Sequence, residues 1–529
     1  MNMSKKRKIR LQKRKISTVL LYSRIVLIAV MLIIQLIYYI HFCLWISPNA
    51  EYFLTISIAS SVLFTVYLVN TKQKTDFKMA WMLPVLLFPI AAIPLYFLTR
   101  YNRGRRRIQI KIAETKAVTN RHTAYLEREM GDSTIREYPE IRDLAAYLRS
   151  EEHFPGFTQN RTDYYPSGEA AFPAMIEELK KAERFIFLDY FIIDIGSMWN
   201  RILNILAEKA AKGVQVRILF DSIGSVSIAS RRFRKTLSDL GIEVREFMPM
   251  IPVFNMSLNN RDHHKIMDID GRIVFTGGVN LTDEYINLEH RRFAYWKDCV
   301  LRIEGSSAIS FTKMFLQIWH TQERNVTGLE ADCAEFLQVH YKKFPVQGAV
   351  FPYADDDYNS QELAQNVYAY ILGKAERYVH IVSPYLILDE TMTNALIFAA
   401  ERGIDVCIVI PAAYDHYIVH CVGMRFAKTL LQHGVRIYLY QNGFIHSKIF
   451  VADDTMGTIG SVNLDYRSFY YHFECGAFLY QTRTLADIEA DFEKIRSESA
   501  ELTLETYRKR IPRFRRAVGW LCKIAAPML

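Results

Sequence analysis

The chain has 529 residues, half of them apolar (50%), 23% charged, with a formal net charge of +10 at pH 7. That length exceeds a single typical domain, and the mixture of apolar runs and charge indicates a membrane segment joined to a folded soluble part. The basic excess points to an acidic partner, either anionic lipid headgroups or nucleic acid, while seven scattered cysteines without a C-x-x-C pair exclude a disulfide framework and a structural zinc site.

The N-terminus is strongly basic, from Lys5 to Lys15, and lacks the short apolar core and small-residue cleavage site of a signal peptide. Residues 25–46 form an uncharged run long enough to span a bilayer. Residues 52–69 form a second run, and residues 80–98 a third that carries Pro84, Pro89 and Pro94. Lys72, Lys74 and Lys78 lie between the second and third runs, and Arg100 to Arg107 follow the third. Two crossings with a proline-broken re-entrant third segment keep every basic cluster inside. This arrangement predicts a multi-pass membrane protein with a cytoplasmic catalytic part; three plain spans would place that part outside.

Residues 108–150 read as a polar connection with helical stretches, ending in the amphipathic IRDLAAYLRS. An α/β unit then occurs twice. The first half runs through the strand signal of KKAERFIFLDYFI, a helix ending AEKAAKG, the strand VQVRILFDSIG, the helix RRFRKTLSDLG and the strand IEVREFM. The second half repeats the order with GKAERYVHIVSPYLI, a helix ending AAERG, IDVCIVIPA, MRFAKTLLQHG and VRIYLY. Alternating strands and helices predict mixed, largely parallel sheets with helices on both faces. The divisions read from this pattern are 1–107 for the basic and hydrophobic N-terminal part, 108–150 for the connection, 151–330 for the first α/β domain and 331–529 for the second. A linker is expected over 325–360, with Asp355, Asp356 and Asp357 in a solvated loop.

Each half ends in the same motif, H-x-K-x-x-x-x-D. Its residues are His263, Lys265 and Asp270 in the first half, and His446, Lys448 and Asp453 in the second. An asparagine follows each histidine by 17 residues, Asn280 and Asn463. His and Lys two apart on a strand share a face. Asp270-Gly271 and Asp453-Asp454 are turn signals before a further apolar run, so each motif reads as a β-hairpin. A turn centred there brings Gly278 and Ser461 opposite the histidines. The collected side chains suit phosphoryl chemistry: lysine and asparagine donate to phosphoryl oxygens, and two histidines divide the roles of nucleophile and general acid. No P-loop, H-E-x-x-H or dinucleotide fingerprint is present.

The doubled motif resembles the HKD signature of the phospholipase D superfamily. The flanks FPIAAIPLYFLTRYNRGRRR, NRDHHK, FTGGVNLTDEY and GSVNLDYRSFYYHFE resemble the bacterial cardiolipin synthases within it. The resemblance implies two duplicated phospholipase D-like domains facing each other across one active site, preceded by an α-helical membrane segment. It implies transfer of a phosphatidyl group between two phosphatidylglycerol molecules, giving cardiolipin and glycerol through a phosphohistidine. His263 is then the nucleophile and His446 the acid/base, with Lys265, Lys448, Asn280 and Asn463 stabilising charge. An acidic residue beyond each motif is also implied; Glu474 fits that slot in the second half and Asp298 in the first. Asp270 and Asp453, at the turns, read as scaffold, and His264 faces the other way. No cofactor is implied. The expected partners are phosphatidylglycerol and anionic membrane lipids, with no nucleic acid. A hydrolase, a transferase using another alcohol, and an HKD nuclease are the alternatives. The C-terminal run from Arg508 to Ile524 reads as a basic segment lying on anionic lipid or packed on the domain.

Overall fold

The structure, a computed structural model, describes residues 50–100, 103–226, 228, 230–249, 260–289, 293–323, 326, 328–338, 341–359 and 361–529. The chain divides into two compact units: one reaches to Arg106, and the other runs from Arg107 and holds both α/β halves.

In the first unit the helices Ala50–Val69, Thr75–Leu87 and Pro89–Arg100 pack around Phe64, Leu68, Val85, Ala92 and Tyr96. The expected span over 25–46 lies outside the described residues. Among the described residues no helix is long and apolar enough to cross a membrane. Within the second run, Ser61 Oγ donates to Val85 O at 3.1 Å. The third run breaks between Leu87 and Pro89, where Phe88 leaves the helical region with φ −140°, because a proline cannot continue the preceding ladder.

The second unit carries two sheets built on one plan. The first half contributes β1 (Asn160–Tyr165), β2 (Phe185–Tyr190), β3 (Gln215–Asp221), β4 (Glu243–Phe247), β5 (Lys265–Ile269), β6 (Ile273–Gly277), β7 (Trp296–Lys297) and β8 (Val300–Gly305). The second half contributes β9 (Ala349–Asp355), β10 (Tyr378–Val382), β11 (Leu386–Ile387), β12 (Asp405–Pro411), β13 (Arg436–Tyr440) and β14 (Phe444–Ile445). After these come β15 (Ile449–Ala452), β16 (Met456–Gly460), β17 (Leu464–Asp465), β18 (Glu474–Tyr480) and β19 (Ser499–Leu502). The first sheet has the order β1-β8-β6-β5-β2-β3-β4, and the second the order β9-β18-β16-β15-β10-β12-β13-β19. Strand for strand these are the same sheet, with β19 added at one edge.

The sheets are mixed, but largely antiparallel rather than largely parallel. The short parallel pairs β7/β14 and β11/β17 lie outside these two sheets; within them, among the described residues, only β2/β3/β4 and β10/β12/β13 run parallel. The helical crossovers legible in the sequence join those strands, whereas hairpin connections and the returning β1 and β9 impose antiparallel pairing on the rest.

Helices cover both faces. Gly168–Lys181 and Ser197–Ala211 bury Met175, Leu179, Trp199 and Leu206 on one side of the first sheet. On the other, the wholly buried Ala308–Thr321 and the helix Leu329–Phe336 pack Phe315, Trp319 and Phe336 against Phe185 and Phe187. The region after residue 107 is no mere connection: Ile112 and Leu126 of the helix Arg103–Leu126 enter this same cluster. The expected linker also holds structure. β9 lies inside it, Asp355 accepts from Ala364 N at 2.8 Å, Asp356 pairs with Lys116 at 3.1 Å, and Asp357 accepts from Asn260 Nδ2 at 2.7 Å. The acidic triplet is therefore tied into the fold and is not a solvated loop.

Candidate active site

The two halves meet along short parallel and bridging contacts. β7 pairs with β14, and Asp262 bridges to Phe473, with His263 N donating to Phe473 O at 2.9 Å. These contacts place each motif beside the last strands of the opposite half. Both motif hairpins form as the sequence predicts, β5/β6 and β15/β16.

Each motif aspartate closes its hairpin by accepting three backbone N–H groups. Asp270 takes those of Glu183, Arg184 and Phe185 at 2.7–2.9 Å; Asp453 takes those of Glu376, Arg377 and Tyr378 at 2.7–2.9 Å. In each half the donors are the Glu and Arg of the shared A-E-R segment and the aromatic residue that follows it. Asp270 and Asp453 also sit at positive φ, 59° and 55°, a conformation aspartate tolerates at turns.

The histidines are oriented by carboxylates from the opposite half. His263 Nδ1 lies 2.9 Å from both oxygens of Glu474, and His446 Nδ1 lies 2.7 Å from Asp298 Oδ2. Both carboxylates are fully buried. A carboxylate accepts, so each Nδ1 carries the proton and each Nε2 keeps its lone pair. Ser461 Oγ and Ser468 Oγ donate to Glu474, which fixes it further.

The ladder registers pair Ile266 with Thr276 and Ile449 with Ile459. Continued outward, they set Gly278 and Ser461 across from His264 and Ser447, one residue away from the expected histidines. Their role is to serve the carboxylates. A Cβ at Gly278 would fall 2.0 Å from Asp298 Oδ1, whereas Ser461 supplies a hydroxyl to the longer Glu474. The Gly/Ser difference between the halves thus follows the Asp/Glu difference. Ser468 carries no motif signal beyond its place in DYRSF, and it was not singled out from the sequence.

Lys265 Nζ donates to His263 O at 2.6 Å; Lys448 Nζ donates to His446 O and lies 2.8 Å from His446 Nδ1. With that Nδ1 proton committed to Asp298, the carbonyl is the acceptor for Lys448. Asn280 is buried and bridges the backbone, accepting from Ile192 N at 3.0 Å and donating to Tyr285 OH at 2.8 Å. Asn463 is also buried, and its Oδ1 has no hydrogen-bond partner among the described residues.

Burial and the two lysines push His263 well below the ordinary imidazole range. Burial and Lys448 bring His446 down to about 4 against the pull of Asp298. Burial likewise lowers Lys265 to about 7, with Glu474 opposing and Lys448 assisting, and lowers Lys448. A desolvated site rich in cations and neutral imidazoles is built to receive an anion.

A third imidazole stands in the site. His472 packs its ring 5.3 Å from that of His263, and its Nδ1 lies 3.5 Å from Glu474 Oε1. Burial keeps it neutral, at about 4. His264 faces away from the site, as expected: its Nδ1 lies 3.0 Å from Asp262 Oδ1 and 3.2 Å from Asp189 Oδ2. Burial opposes its charge, but these carboxylates overcome it and hold the ring protonated. His263, His472 and Glu474 form one of three groups among the described residues with metal-ligand spacing; Asp189, Asp262 and His264 form another, and His380, Glu489 and Glu493 the third. Each contains a histidine already directed at a carboxylate of its own group.

The family profile "Cardiolipin synthase, PLD-like domain" matches residues 175–319 and 368–496, the cores of both halves. A cardiolipin synthase of Geobacillus sp. is 32% identical over 90% of this chain and 94% of its own length. The chain belongs to the cardiolipin synthase family of phospholipase D-like proteins. Within this family it also resembles a cardiolipin synthase of Listeria welshimeri, at 30% identity over 87% of this chain and 95% of that one. An uncharacterized protein of Streptococcus mutans is 39% identical over 88% of the chain and 99% of its own length. Among solved structures, a phosphatidylserine synthase of Haemophilus influenzae superposes with a TM-score of 0.57 at 15% identity, covering 74% of this chain and 100% of that one. That likeness shows a shared fold.

Proposed function

We propose that this chain is a cardiolipin synthase, which transfers a phosphatidyl group from one phosphatidylglycerol to another and releases glycerol. The observation that carries the reading is the crossed pair His263–Glu474 and His446–Asp298, set among two desolvated lysines.

His263 Nε2 attacks phosphorus, and the bond from phosphorus to the headgroup glycerol oxygen breaks. His446 Nε2 delivers a proton to that oxygen, so glycerol leaves neutral and a phosphatidyl-histidine remains. A second phosphatidylglycerol then enters. His446 takes the proton of its headgroup hydroxyl, the oxygen attacks phosphorus, and the bond to His263 breaks, giving cardiolipin and the free imidazole. The phosphodiester brings a negative charge, which offsets the cations that depress His446 and lets it carry the proton the first step needs. Glu474 stabilises the cation on His263 at attack. Lys265, Lys448 and Asn463 meet charge on the non-bridging oxygens, while Asn280 holds the chain at Ile192 and Tyr285.

The reading extends to a multi-pass bacterial membrane protein anchored through its N-terminal part, followed by the connection at 108–150 and two domains over 151–330 and 331–529. Exposed Tyr52, Ile56 and Leu63 on the helix Ala50–Val69, with basic residues flanking the apolar runs, support the anchor. The catalytic halves are assigned to the cytoplasmic side by the basic clusters.

The test is purified protein in liposomes with phosphatidylglycerol as the sole substrate, products read by mass spectrometry. Cardiolipin and glycerol, lost in both His263→Ala and His446→Ala, are expected. Phosphatidic acid alone would place the chain among the hydrolases, and nucleic acid cleavage without lipid turnover would overturn the lipid assignment.

A further inference from the structure

The last helix of the second unit has one face held against the protein and another that is exposed among the described residues. Thr503 opens the segment with a capping box to Thr506, Leu504–Arg510 forms one helix, and Pro512 starts the next, Arg513–Cys522. Between Leu504 and Lys523 there are seven basic residues and one acidic residue, Glu505.

The inner face is fixed closely on the helix Tyr417–Leu431. A Cβ at Gly519 would fall 2.3 Å from Cys421 O, so only glycine allows this approach. The Arg515 guanidinium lies 5.2 Å from the ring of Tyr414 and 5.4 Å from that of Tyr417, and Lys523 Nζ lies 5.1 Å from that of Phe426. The outer face is apolar and open: Phe514 is 71% exposed, Trp520 66% and Leu521 63%. Phe514 and Leu521 are two helical turns apart and share one stripe. Exposed Arg508, Lys509, Arg510 and Arg513 border it. An aromatic and aliphatic stripe bordered by cations matches a surface of anionic headgroups over acyl chains. A nucleic acid would be met by the cations but would leave the Phe/Leu stripe in water.

The position adds a second argument. The helix Tyr417–Leu431 that carries this segment also lines a small cleft with Val419 and His420, faced by Tyr385, Asp415 and Phe444. Phe444 is two residues from His446, ring to ring 6.3 Å.

We propose that Arg513–Cys522 is an interfacial helix that seats the catalytic halves on an anionic bilayer. Phe514, Trp520 and Leu521 enter the headgroup–acyl boundary. This rests on the lipid reading above for its substrate, but the seating itself is measurable without turnover.

Full-length protein is placed in vesicles of phosphatidylglycerol and phosphatidylcholine brominated near the glycerol backbone. Tryptophan quenching is compared with that of Trp520→Phe, and the wild type is expected to show a quenched component that the variant lacks. An identical quenched component in both would show Trp520 outside the bilayer and overturn the proposal. A Phe514→Ser, Leu521→Ser double variant is expected to need about tenfold more bilayer phosphatidylglycerol for half-maximal rate, with turnover of a water-soluble short-chain phosphatidylglycerol unchanged. Equal losses on both substrates would mean that the stripe supports the fold and not docking. Quenching at Trp520 with no cardiolipin formed would leave the seating intact and refute the synthase reading instead.

Discussion

His263 Nδ1 is held 2.9 Å from both oxygens of Glu474, a residue 211 positions later in the chain and on the other α/β half. With His446 paired to Asp298 in the same crossed manner, neither half contains a complete catalytic pair. The shared site is thus a consequence of how the repeat docks on itself, and separating the halves would part His263 from Glu474 and His446 from Asp298.

Replacing Glu474 by Gln keeps the shape but removes the charge that favours the Nδ1–H tautomer and the imidazolium. Phosphatidyl transfer is expected to fall by about 10²–10⁴-fold in kcat, the range general acid–base support supplies, with a smaller change in KM. Steady-state rates on vesicles measure this. A full-rate Glu474→Gln enzyme would remove the carboxylate from the mechanism.

The motif aspartates behave differently. Asp270 and Asp453 touch no reacting group and each satisfy three backbone donors. Asp270→Ala leaves those N–H groups without acceptors, at about 1–3 kcal/mol for a buried group. The melting temperature is expected to drop, while the rate per folded molecule changes far less than in the Glu474→Gln variant. Asp453→Ala should do the same. Loss of rate at unchanged melting temperature would refute the scaffold role.

Much of this site was legible before any geometry. Repeated spacing identified His263, Lys265, His446 and Lys448, because a duplicated unit conserves its own hairpin. The turn aspartates were also correctly placed, since their neighbours in sequence reveal the hairpin. The crossing of the carboxylates was not legible: it depends on docking between halves, which local periodicity does not encode. Sheet direction failed for a related reason. Helical crossovers announce parallel strands loudly, whereas β1, β8, β9 and β18 pair antiparallel through long connections with no local signal. The acidic triplet looked solvated because its partners Lys116, Asn260 and Ala364 lie elsewhere in the chain.

Lys265 gives the site a pH signature in stability. Its amine is brought from an ordinary value of 10.5 to about 7 by burial. The unfolded chain therefore holds more protons than the folded one between those limits, and stability rises with pH across them. The cost of burying the ammonium is fully present below pH 7 and is gone above pH 10.5. Lys265→Met is expected to melt higher than the wild type at pH 6, with the difference shrinking steadily toward pH 10, and to have lost transfer activity. A difference in melting temperature independent of pH would show that the lysine is not desolvated in the folded state.

His472 sits one ring away from His263, and its buried Nδ1 makes a long contact, 3.5 Å, to Glu474 Oε1. A neutral imidazole there can accept from, or donate to, a hydroxyl of the incoming glycerol headgroup, and the weakly satisfied Nδ1 gains a partner when that headgroup binds. His472→Phe keeps an aromatic ring against His263 and removes both nitrogens. Because the chemical step uses His263 and His446, the phosphatidyl-histidine should still form. Its partition should shift, so that water competes better against the second phosphatidylglycerol and the ratio of phosphatidic acid to cardiolipin rises about tenfold, the effect of losing one polar contact. His472→Asn, which restores a side chain able to donate and accept, should bring the ratio back toward that of the wild type. An unchanged ratio in His472→Phe, at any total rate, would mean that the third imidazole packs against the nucleophile and does not meet the acceptor.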